Sequence, residues 1–335
     1  MRIQFLQDFI DKVRNKRNRL SFQSKIYGKC YYPYYSKKQG FSFKKPRIFN
    51  EFGEPLELFF LRSSATWYSP YNDSRYFLWD RYNFGLDIHF YTDNDIFQTM
   101  GKPNAKYALF GEPRTINKKV YSDFVKAKNL ASEFKNIITF DSILLEKFPN
   151  ARLFCGAAPW CYLESGDTLS HSATKYEKKS KDISMICSGK TFTPLHIVRN
   201  AIASRLKSNA RVDIFGSYVN NYVRYTSQAL DSYRYHIVVE NMQSEYYFTE
   251  KILNCFISMA VPLYIGATKI AEFFNPDGII TLRPNDVDNI ESILAACTPQ
   301  DYTNRLPAII ENYHKSLHYL NNDDRLYEML FKGDK

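Results

Sequence analysis

The spacing of hydrophobic and polar positions changes near the middle of this 335-residue chain. From Ile183 onward, short apolar runs alternate with stretches in which apolar residues recur every three or four positions. The short runs are typical of buried parallel strands, and the longer stretches are typical of the helices that cover them. The predicted strands are Ile183–Cys187, Arg211–Phe215, His236–Val239, Val261–Ile265 and Ile279–Leu282. This alternation predicts a doubly wound α/β domain.

Helix signals lie between these strands. Pro194 begins one predicted helix, with apolar residues at 195, 198, 202 and 206 on one face. Another is predicted at Thr249–Met259, and the closing stretch Pro299–Phe331 also has the pattern of helices.

The first half of the chain is less regular and rich in aromatic residues. Its predicted strands are Leu86–Tyr91, Lys106–Phe110, Asn136–Phe140 and Ala151–Phe154, and its predicted helices are Lys118–Phe134 and Asp141–Phe148. The polar stretch Glu164–Asp182 has the composition of a linker or a surface loop. We therefore predict a first domain over 1–165, a second over 166–300, and C-terminal helices over 301–335 that can pack back on the first domain.

Composition and charge narrow the class of protein. The chain is 44% hydrophobic and 24% charged, which is typical of a folded globular protein, and its net charge of +10 favours anionic partners. No nucleic-acid-binding motif accompanies the basic residues, so no specific nucleic acid is expected. The six cysteines lack metal-binding spacing, which predicts a reducing, cytoplasmic setting without disulfides or a zinc site.

Residues 1–20 have two interpretations. Ile3, Leu6, Ile10 and Val13 fall at helical spacing and basic residues follow them, but no continuous apolar stretch is present. The segment is either an amphipathic helix on the anionic inner face of a membrane, which would make the protein peripheral, or the first helix of its own domain.

Candidate chemistry lies where the strands of the second half end. Parallel sheets bind ligands at the carboxyl ends of their strands, and Gly216 and Glu240-Asn241 follow two of these strands. Thr249 is a suitable N-cap, which places Glu250 and Lys251 in the first helical turn. Backbone N–H groups and a lysine at a helix N-terminus favour a phosphate. A neighbouring carboxylate can stabilise positive charge on a sugar.

These motifs resemble a known family. Glu240-Asn241, Tyr247-Phe248-Thr249-Glu250-Lys251, the run 261–266 (Val-Pro-Leu-Tyr-Ile-Gly) and Arg199-Asn200 are similar to the signature of the α-1,3-fucosyltransferases, glycosyltransferase family 10. The resemblance covers about Ser184 to Leu282 and is faint before that.

The resemblance implies an α/β fold of the GT-B type, with two Rossmann-like doubly wound domains facing a central cleft. It also implies an inverting transfer from a nucleotide-sugar donor, GDP-fucose, with no metal and no other cofactor. Arg199 and Lys251 would neutralise the diphosphate, and Glu250 would contact the sugar and its developing positive charge. Asn241 and Tyr247 would line the donor pocket. The predicted donor-binding set is completed by Glu240, Thr249 and Gly216.

Inversion requires a general base for the acceptor hydroxyl. In the family this base is a glutamate in a loop after a strand of the first domain. Glu112 follows the predicted strand Lys106–Phe110 in a short loop with Gly111 and Pro113, so it is the predicted base. The predicted acceptor is a glycan of a bacterial cell-surface precursor, lipopolysaccharide O-antigen or capsule, in lipid-linked form.

Three alternatives stay open at this stage. Met242 stands where the family has a small hydroxyl residue, which leaves room for another nucleotide-sugar donor. Asp93-Asn94-Asp95 imitates the metal-binding motif of GT-A transferases, so a metal-dependent enzyme using Asp93 and Asp95 is a second hypothesis. A module that binds nucleotide or glycan without catalysis is the third.

Overall fold

The computed structural model describes residues 53–63, 74–81, 83–161 and 174–333. Its contacts divide the chain into two units, Met1–Phe154 with Asp323–Lys335, and Cys155–Asn322. Each unit is built on one parallel sheet, as the α/β prediction requires. The predicted boundary between 165 and 166 and the basic segment 1–20 lie outside the described residues.

The sheet of the first unit has six strands in the order β2-β1-β3-β4-β5-β6, and every neighbouring pair is parallel. The strands are β1 Glu57–Arg62, β2 Phe77–Asp80, β3 Ile88–Thr92, β4 Ala105–Leu109, β5 Asn136–Thr139 and β6 Ala151–Leu153. The four strands predicted for this half, β3 to β6, are confirmed. The predictions missed β1 and β2, although both are short apolar runs bounded by polar residues.

Apolar side chains cover both faces of this sheet. Consecutive residues of a strand point to opposite faces, and the two hydrophobic clusters follow this rule: Phe60 and Tyr91 lie in one cluster, and Phe59 and Phe90 lie in the other. A parallel sheet covered on both faces needs such uninterrupted apolar strands. The excess of aromatic residues in this half therefore fills its core.

In the described ranges, the helices between the strands of the first unit are short. They are α1 Lys118–Lys126 and α2 Ser142–Lys147, with 3-10 turns at Asp93–Phe97 and Ala131–Glu133. The predicted helix Lys118–Phe134 is therefore too long. It stops at Lys126, and Asn129 has a φ of 62°, a left-handed conformation that an α-helix does not continue through.

The sheet of the second unit has five parallel strands in the order β11-β10-β9-β7-β8. The strands are β7 Lys181–Ile186, β8 Val212–Phe215, β9 Tyr233–Val239, β10 Val261–Ile265 and β11 Ile280–Thr281. All five coincide with predicted strands, and β9 is the central one.

Helices and 3-10 turns connect these strands. The helices are α3 Pro194–Leu206, α4 Glu250–Ile257, α5 Ile290–Ala295, α6 Pro299–Asn304 and α7 Leu306–Ser316. The linker or surface loop predicted at Glu164–Asp182 is described only from residue 174 onward, and its end there already belongs to β7. Residues Lys175–Lys178 form a 3-10 turn, Lys175 and Lys179 are buried, and β7 begins at Lys181. Polar composition alone would suggest that these two lysines are exposed.

The last helix, α8 Asn322–Tyr327, continues as a π-helix over Glu328–Lys332, and from Asp323 onward the chain belongs to the first unit. There the carboxylate of Asp324 accepts hydrogen bonds from Ser74 Oγ at 2.8 Å and from Arg75 N at 2.8 Å. Leu326 is buried in the core of that unit. Within the described part of the chain, no helix combines the length and apolar character needed to cross a bilayer.

Candidate functional site

The site in the second unit begins with a buried carboxylate at the end of its central strand. Glu240 directly follows β9 and is 0% exposed. A buried carboxylate requires partners, and its two oxygens accept hydrogen bonds from Thr249 N at 2.9 Å and Thr249 Oγ1 at 2.7 Å. Lys251 Nζ adds a third contact at 3.3 Å. Glu240 therefore connects the end of β9 to the start of α4.

The first turn of α4 completes this network. Thr249 is the N-cap, as predicted, and its Oγ1 accepts from Lys251 N at 3.4 Å and from Lys251 Nζ at 2.9 Å. Glu250 Oε1 lies 3.0 Å from Lys251 Nζ. The structure thus brings four predicted residues, Glu240, Thr249, Glu250 and Lys251, into direct contact.

Charge and burial act together on this network. Burial raises the pKa of the Glu240 carboxyl, and the Lys251 ammonium opposes that effect. Burial alone would lower the pKa of Lys251, but the charges of Glu240 and Glu250 outweigh it and the pKa is raised. Lys251 is therefore protonated at neutral pH. Its side chain as a whole keeps 27% of its surface exposed.

A second cation comes from α3, which begins with Thr193 as N-cap and Pro194 in its first turn. Arg199 is 6% exposed, and its Nη2 donates to Ser188 Oγ at 2.8 Å. Its Nε is buried and has no hydrogen-bond partner among the described residues. Burial lowers the pKa of the guanidinium, and Glu240 is among the charges that raise it. Arg199 is thus a buried cation with hydrogen-bonding capacity to spare, within electrostatic reach of Glu240.

Gly216 has a backbone role at the same edge of the sheet. It follows β8 with a φ of 103°, and a Cβ at this position would collide with the carbonyl oxygen of Cys187. That oxygen also accepts from Tyr218 N at 3.1 Å. Gly216 therefore allows the loops after β7 and β8 to approach each other closely.

Asn241 and Tyr247 differ in their surroundings. Asn241 Oδ1 lies 2.9 Å from Nε2 of His196, a buried residue on the first turn of α3. Tyr247 is 5% exposed, and its backbone N donates to Ser244 Oγ at 3.2 Å. Sequence reasoning missed His196. Its signal was the spacing Thr193-x-x-His196, in which the fourth residue can bond back to the N-cap.

Glu112 lies in the first unit, in the loop that follows β4, as predicted. The backbone N–H groups of Gly111 and Glu112 donate to Asp93 Oδ1 at 3.2 and 3.4 Å. Tyr121 Oη donates to the carbonyl oxygen of Glu112 at 2.7 Å. Arg114 forms a bidentate salt bridge with Asp141, in which Nε donates to Oδ2 at 2.9 Å and Nη2 donates to Oδ1 at 2.7 Å. The backbone that carries Glu112 is thus fixed from three sides.

The two aspartates of the GT-A hypothesis have separate partners. Asp93 holds the Glu112 loop, and burial together with the charge of Glu112 raises its pKa to about 7. Asp95 forms a buried salt bridge with Arg62 at 3.3 Å. In the described ranges, no three His, Cys, Asp or Glu residues group as metal ligands. Both carboxylates thus have roles within the first unit.

Comparison with known proteins relates the second unit to a known family. Residues 176–296 match the family model described as glycosyltransferase family 10 (fucosyltransferase) C-term. This part of the second unit is similar to the C-terminal domain of the family 10 glycosyltransferases. The network around Lys251, Arg199, Asn241 and Gly216 lies inside this region, so the resemblance based on these motifs is confirmed for this part of the chain.

The chain also has a curated relative. The α-(1,3)-fucosyltransferase FucT of Helicobacter pylori is 32% identical over 89 residues. That match covers 26% of this chain and 19% of the relative's length.

Solved structures extend the likeness in fold beyond the matched region. A structure described as α1,3-fucosyltransferase with GDP is similar over 82% of this chain and 92% of its own length, with 16% identity and a TM-score of 0.50. Together with the two parallel sheets, this likeness confirms the predicted α/β fold of the GT-B type. A structure of TarM matches 74% of this chain and 54% of its own length, with 12% identity and a TM-score of 0.49.

Proposed function

We propose that this chain is an inverting, metal-independent glycosyltransferase that moves L-fucose from GDP-fucose to a glycan hydroxyl. One observation carries the proposal: within a region that matches the family 10 model, the charged side chain of Lys251 and the buried side chain of Arg199 both lie near Glu240. Two cations at the carboxyl edge of a parallel sheet are suited to a nucleotide diphosphate.

Each cation has a distinct part in holding the diphosphate. Arg199 offers a planar group whose buried Nε has no partner in the described part of the chain, so a phosphate oxygen can accept from it. Lys251 is fixed by three oxygens and remains charged. A leaving diphosphate gains negative charge as the sugar departs, and cations placed in advance stabilise it without a metal ion.

Glu250 is the carboxylate proposed to face the sugar. Its side chain is 19% exposed, whereas Glu240 is fully buried. Glu250 can therefore contact sugar hydroxyls and the positive charge that develops at the anomeric carbon. Glu240 instead orders the start of α4 and holds Lys251.

Glu112 is the proposed general base. The base takes the proton of the acceptor hydroxyl while that oxygen attacks the anomeric carbon from the side opposite the diphosphate. The hydrogen bonds from Gly111 and Glu112 to Asp93 and from Tyr121 to Glu112 give this carboxylate a fixed backbone. A fixed base supports catalysis because its approach to the hydroxyl costs less entropy.

The donor and acceptor follow from similarity and remain part of the proposal. GDP-fucose is the donor implied by the family, and the Helicobacter pylori relative is itself an α-(1,3)-fucosyltransferase. We propose a cell-surface glycan precursor as acceptor, lipid-linked at the cytoplasmic face of the membrane. The basic segment 1–20 would then hold the protein to the anionic surface.

A calorimetric panel of GDP, UDP, CDP and dTDP tests the proposal. Binding of a nucleotide stabilises the folded chain and gives heat on titration. We expect GDP to bind most tightly, without added metal, and GDP-fucose to be turned over with a glycan acceptor. Tighter binding of another nucleotide would indicate that the donor carries that nucleotide instead of GDP. Binding without turnover of any nucleotide sugar would favour a binding module. No binding at all would remove the proposed function.

A further inference from the structure

His196 occupies an unusual position beside the donor site. It is 2% exposed and lies in the first turn of α3, one turn before Arg199. Both ring nitrogens have partners: Nδ1 lies 3.3 Å from Thr193 N, and Nε2 lies 2.9 Å from Asn241 Oδ1. The ring therefore joins the start of α3 to the residue that follows Glu240.

The contact with Thr193 fixes the tautomer of this ring. A backbone N–H can only donate, so Nδ1 of His196 must accept and cannot carry a hydrogen. The ring hydrogen is therefore on Nε2, which donates to Asn241 Oδ1. Burial lowers the pKa of His196, and the charges of Arg199, Lys190 and Lys251 lower it further, against the bond to Asn241. The ring is thus neutral at physiological pH.

This tautomer determines how the Asn241 amide is turned. Because its oxygen faces a donor, its NH₂ group must face the other way. Nδ2 makes no hydrogen bond to any described residue, and the side chain is partly exposed. Three cations, Arg199, Lys190 and Lys251, act on the neighbouring His196 ring, and cations favour an anionic ligand nearby.

We propose that His196 is a positioning residue, which holds the Asn241 amide so that its NH₂ group donates to a phosphate oxygen of the bound nucleotide diphosphate. The inference rests on the proposed function, because it takes the same site as the donor site. The inference adds His196, which is outside the predicted set, to the donor site. It also explains why the residue at position 241 is an asparagine. Only a side chain with both an acceptor and a donor can satisfy His196 and the phosphate at once.

A purely structural role for His196 makes a different prediction. The same residue forms a capping box, since its backbone N donates to Thr193 Oγ1 at 3.2 Å. Replacing Thr193 with alanine removes that side-chain cap but keeps the backbone N–H that fixes the ring. Thr193→Ala should therefore lower the unfolding temperature and leave nucleotide affinity unchanged.

Calorimetric titration of GDP into the intact chain tests the inference, with thermal unfolding measured in parallel. His196→Met removes both ring contacts at similar size, and we expect GDP affinity to fall about tenfold, the loss of one oriented hydrogen bond. His196→Gln should bind GDP as the wild type does, because its amide oxygen can accept from Thr193 N and its NH₂ can donate to Asn241. His318→Gln, at an exposed histidine of the same unit, is the control for loss of an imidazole.

A double-mutant cycle sharpens this test. Asn241→Ala should itself weaken GDP binding about tenfold, and adding His196→Met to it should cause no further loss, because the residue to be positioned is gone. Two independent losses that multiply would contradict the inference. Unchanged GDP affinity of His196→Met would also overturn it. If the wild type binds GDP, each of these two results rules out this inference and leaves the proposed function standing. If the wild type binds no nucleoside diphosphate, the proposed function fails, and this inference fails with it.

Discussion

At the scale of single residues, a buried carboxyl group lies beneath the loop that carries Glu112. Asp93 is 4% exposed and has a φ of 44°, a conformation that aspartate and asparagine tolerate better than most residues. Its carboxylate accepts from two backbone N–H groups of that loop. The sequence suggested a metal ligand here, because a pattern of two aspartates carries no information about which backbone groups approach them.

The raised pKa of Asp93, about 7, predicts a pH-dependent stability. The folded state binds the proton more tightly than the unfolded state, so this group is neutral in the folded chain below about pH 7 and its burial then costs little. As pH rises from about 4 to 7, the carboxyl ionises in the unfolded chain while it stays protonated in the folded one, and this difference removes on the order of 4 kcal/mol of stability. Asp93→Asn keeps the acceptor oxygen and the backbone conformation but has no such cost. We expect its stability relative to wild type to increase from about pH 4 to pH 7 and to level off above that.

Urea unfolding at several pH values measures this difference. Asp87→Asn, at an exposed aspartate of the same unit, should show no comparable trend. A difference between Asp93→Asn and wild type that stays constant with pH would show that Asp93 does not titrate in this range.

Glu112 yields a prediction for turnover. Glu112→Gln keeps size and removes the basic oxygen, so turnover of GDP-fucose should fall about a hundredfold or more, while GDP affinity stays the same. Glu146→Gln, at an exposed glutamate on α2, is the control. Normal turnover by Glu112→Gln would remove this residue from the mechanism, and loss of GDP affinity would indicate another role.

At the scale of elements, the two glycines at the ends of β7 and β8 have different requirements. Gly216 has a φ of 103°, and a Cβ there would strike the backbone of Cys187, whereas a Cβ at Gly189 would meet nothing within 4 Å. Gly216→Ala should therefore destabilise the chain by roughly 2 kcal/mol or more and weaken GDP binding, because the loop beside Arg199 must move. Gly189→Ala is the matched control and should be close to neutral. Equal unfolding midpoints for the two variants would contradict the assigned backbone role.

The sequence predicted the elements of the second unit better than those of the first. Its strands are short apolar runs that end at glycine or at polar residues, so local pattern and tertiary burial agree there. In the first unit, β1 and β2 were missed and α1 was drawn too long, since an asparagine with left-handed backbone is invisible to a search for apolar periodicity. The Glu240–Thr249–Lys251 network was predictable from capping and charge. The contact of His196 with Asn241 was not, because it joins two elements that lie far apart in sequence.

At the scale of the whole molecule, the predicted metal independence can be tested directly. Asp93 and Asp95 have partners within the first unit, and in the proposed mechanism Arg199 and Lys251 would supply the positive charge that a divalent ion supplies in other transferases. Turnover should therefore persist in excess EDTA. A loss that Mg²⁺ or Mn²⁺ restores would return a metal-dependent mechanism to consideration.

The central claim is that Arg199 and Lys251 hold the diphosphate of the donor, and titration of GDP into single variants tests it most directly. Arg199→Ala and Lys251→Ala should each weaken GDP binding by about tenfold or more, since each removes a charge-assisted contact. Arg205→Ala, on the last turn of the same helix as Arg199 and paired with Asp288, should bind GDP as the wild type does. Guanosine, which lacks the diphosphate, should bind the wild type and all three variants with equal affinity. Unchanged GDP affinity in both Arg199→Ala and Lys251→Ala, or an equal loss for guanosine, would contradict the account.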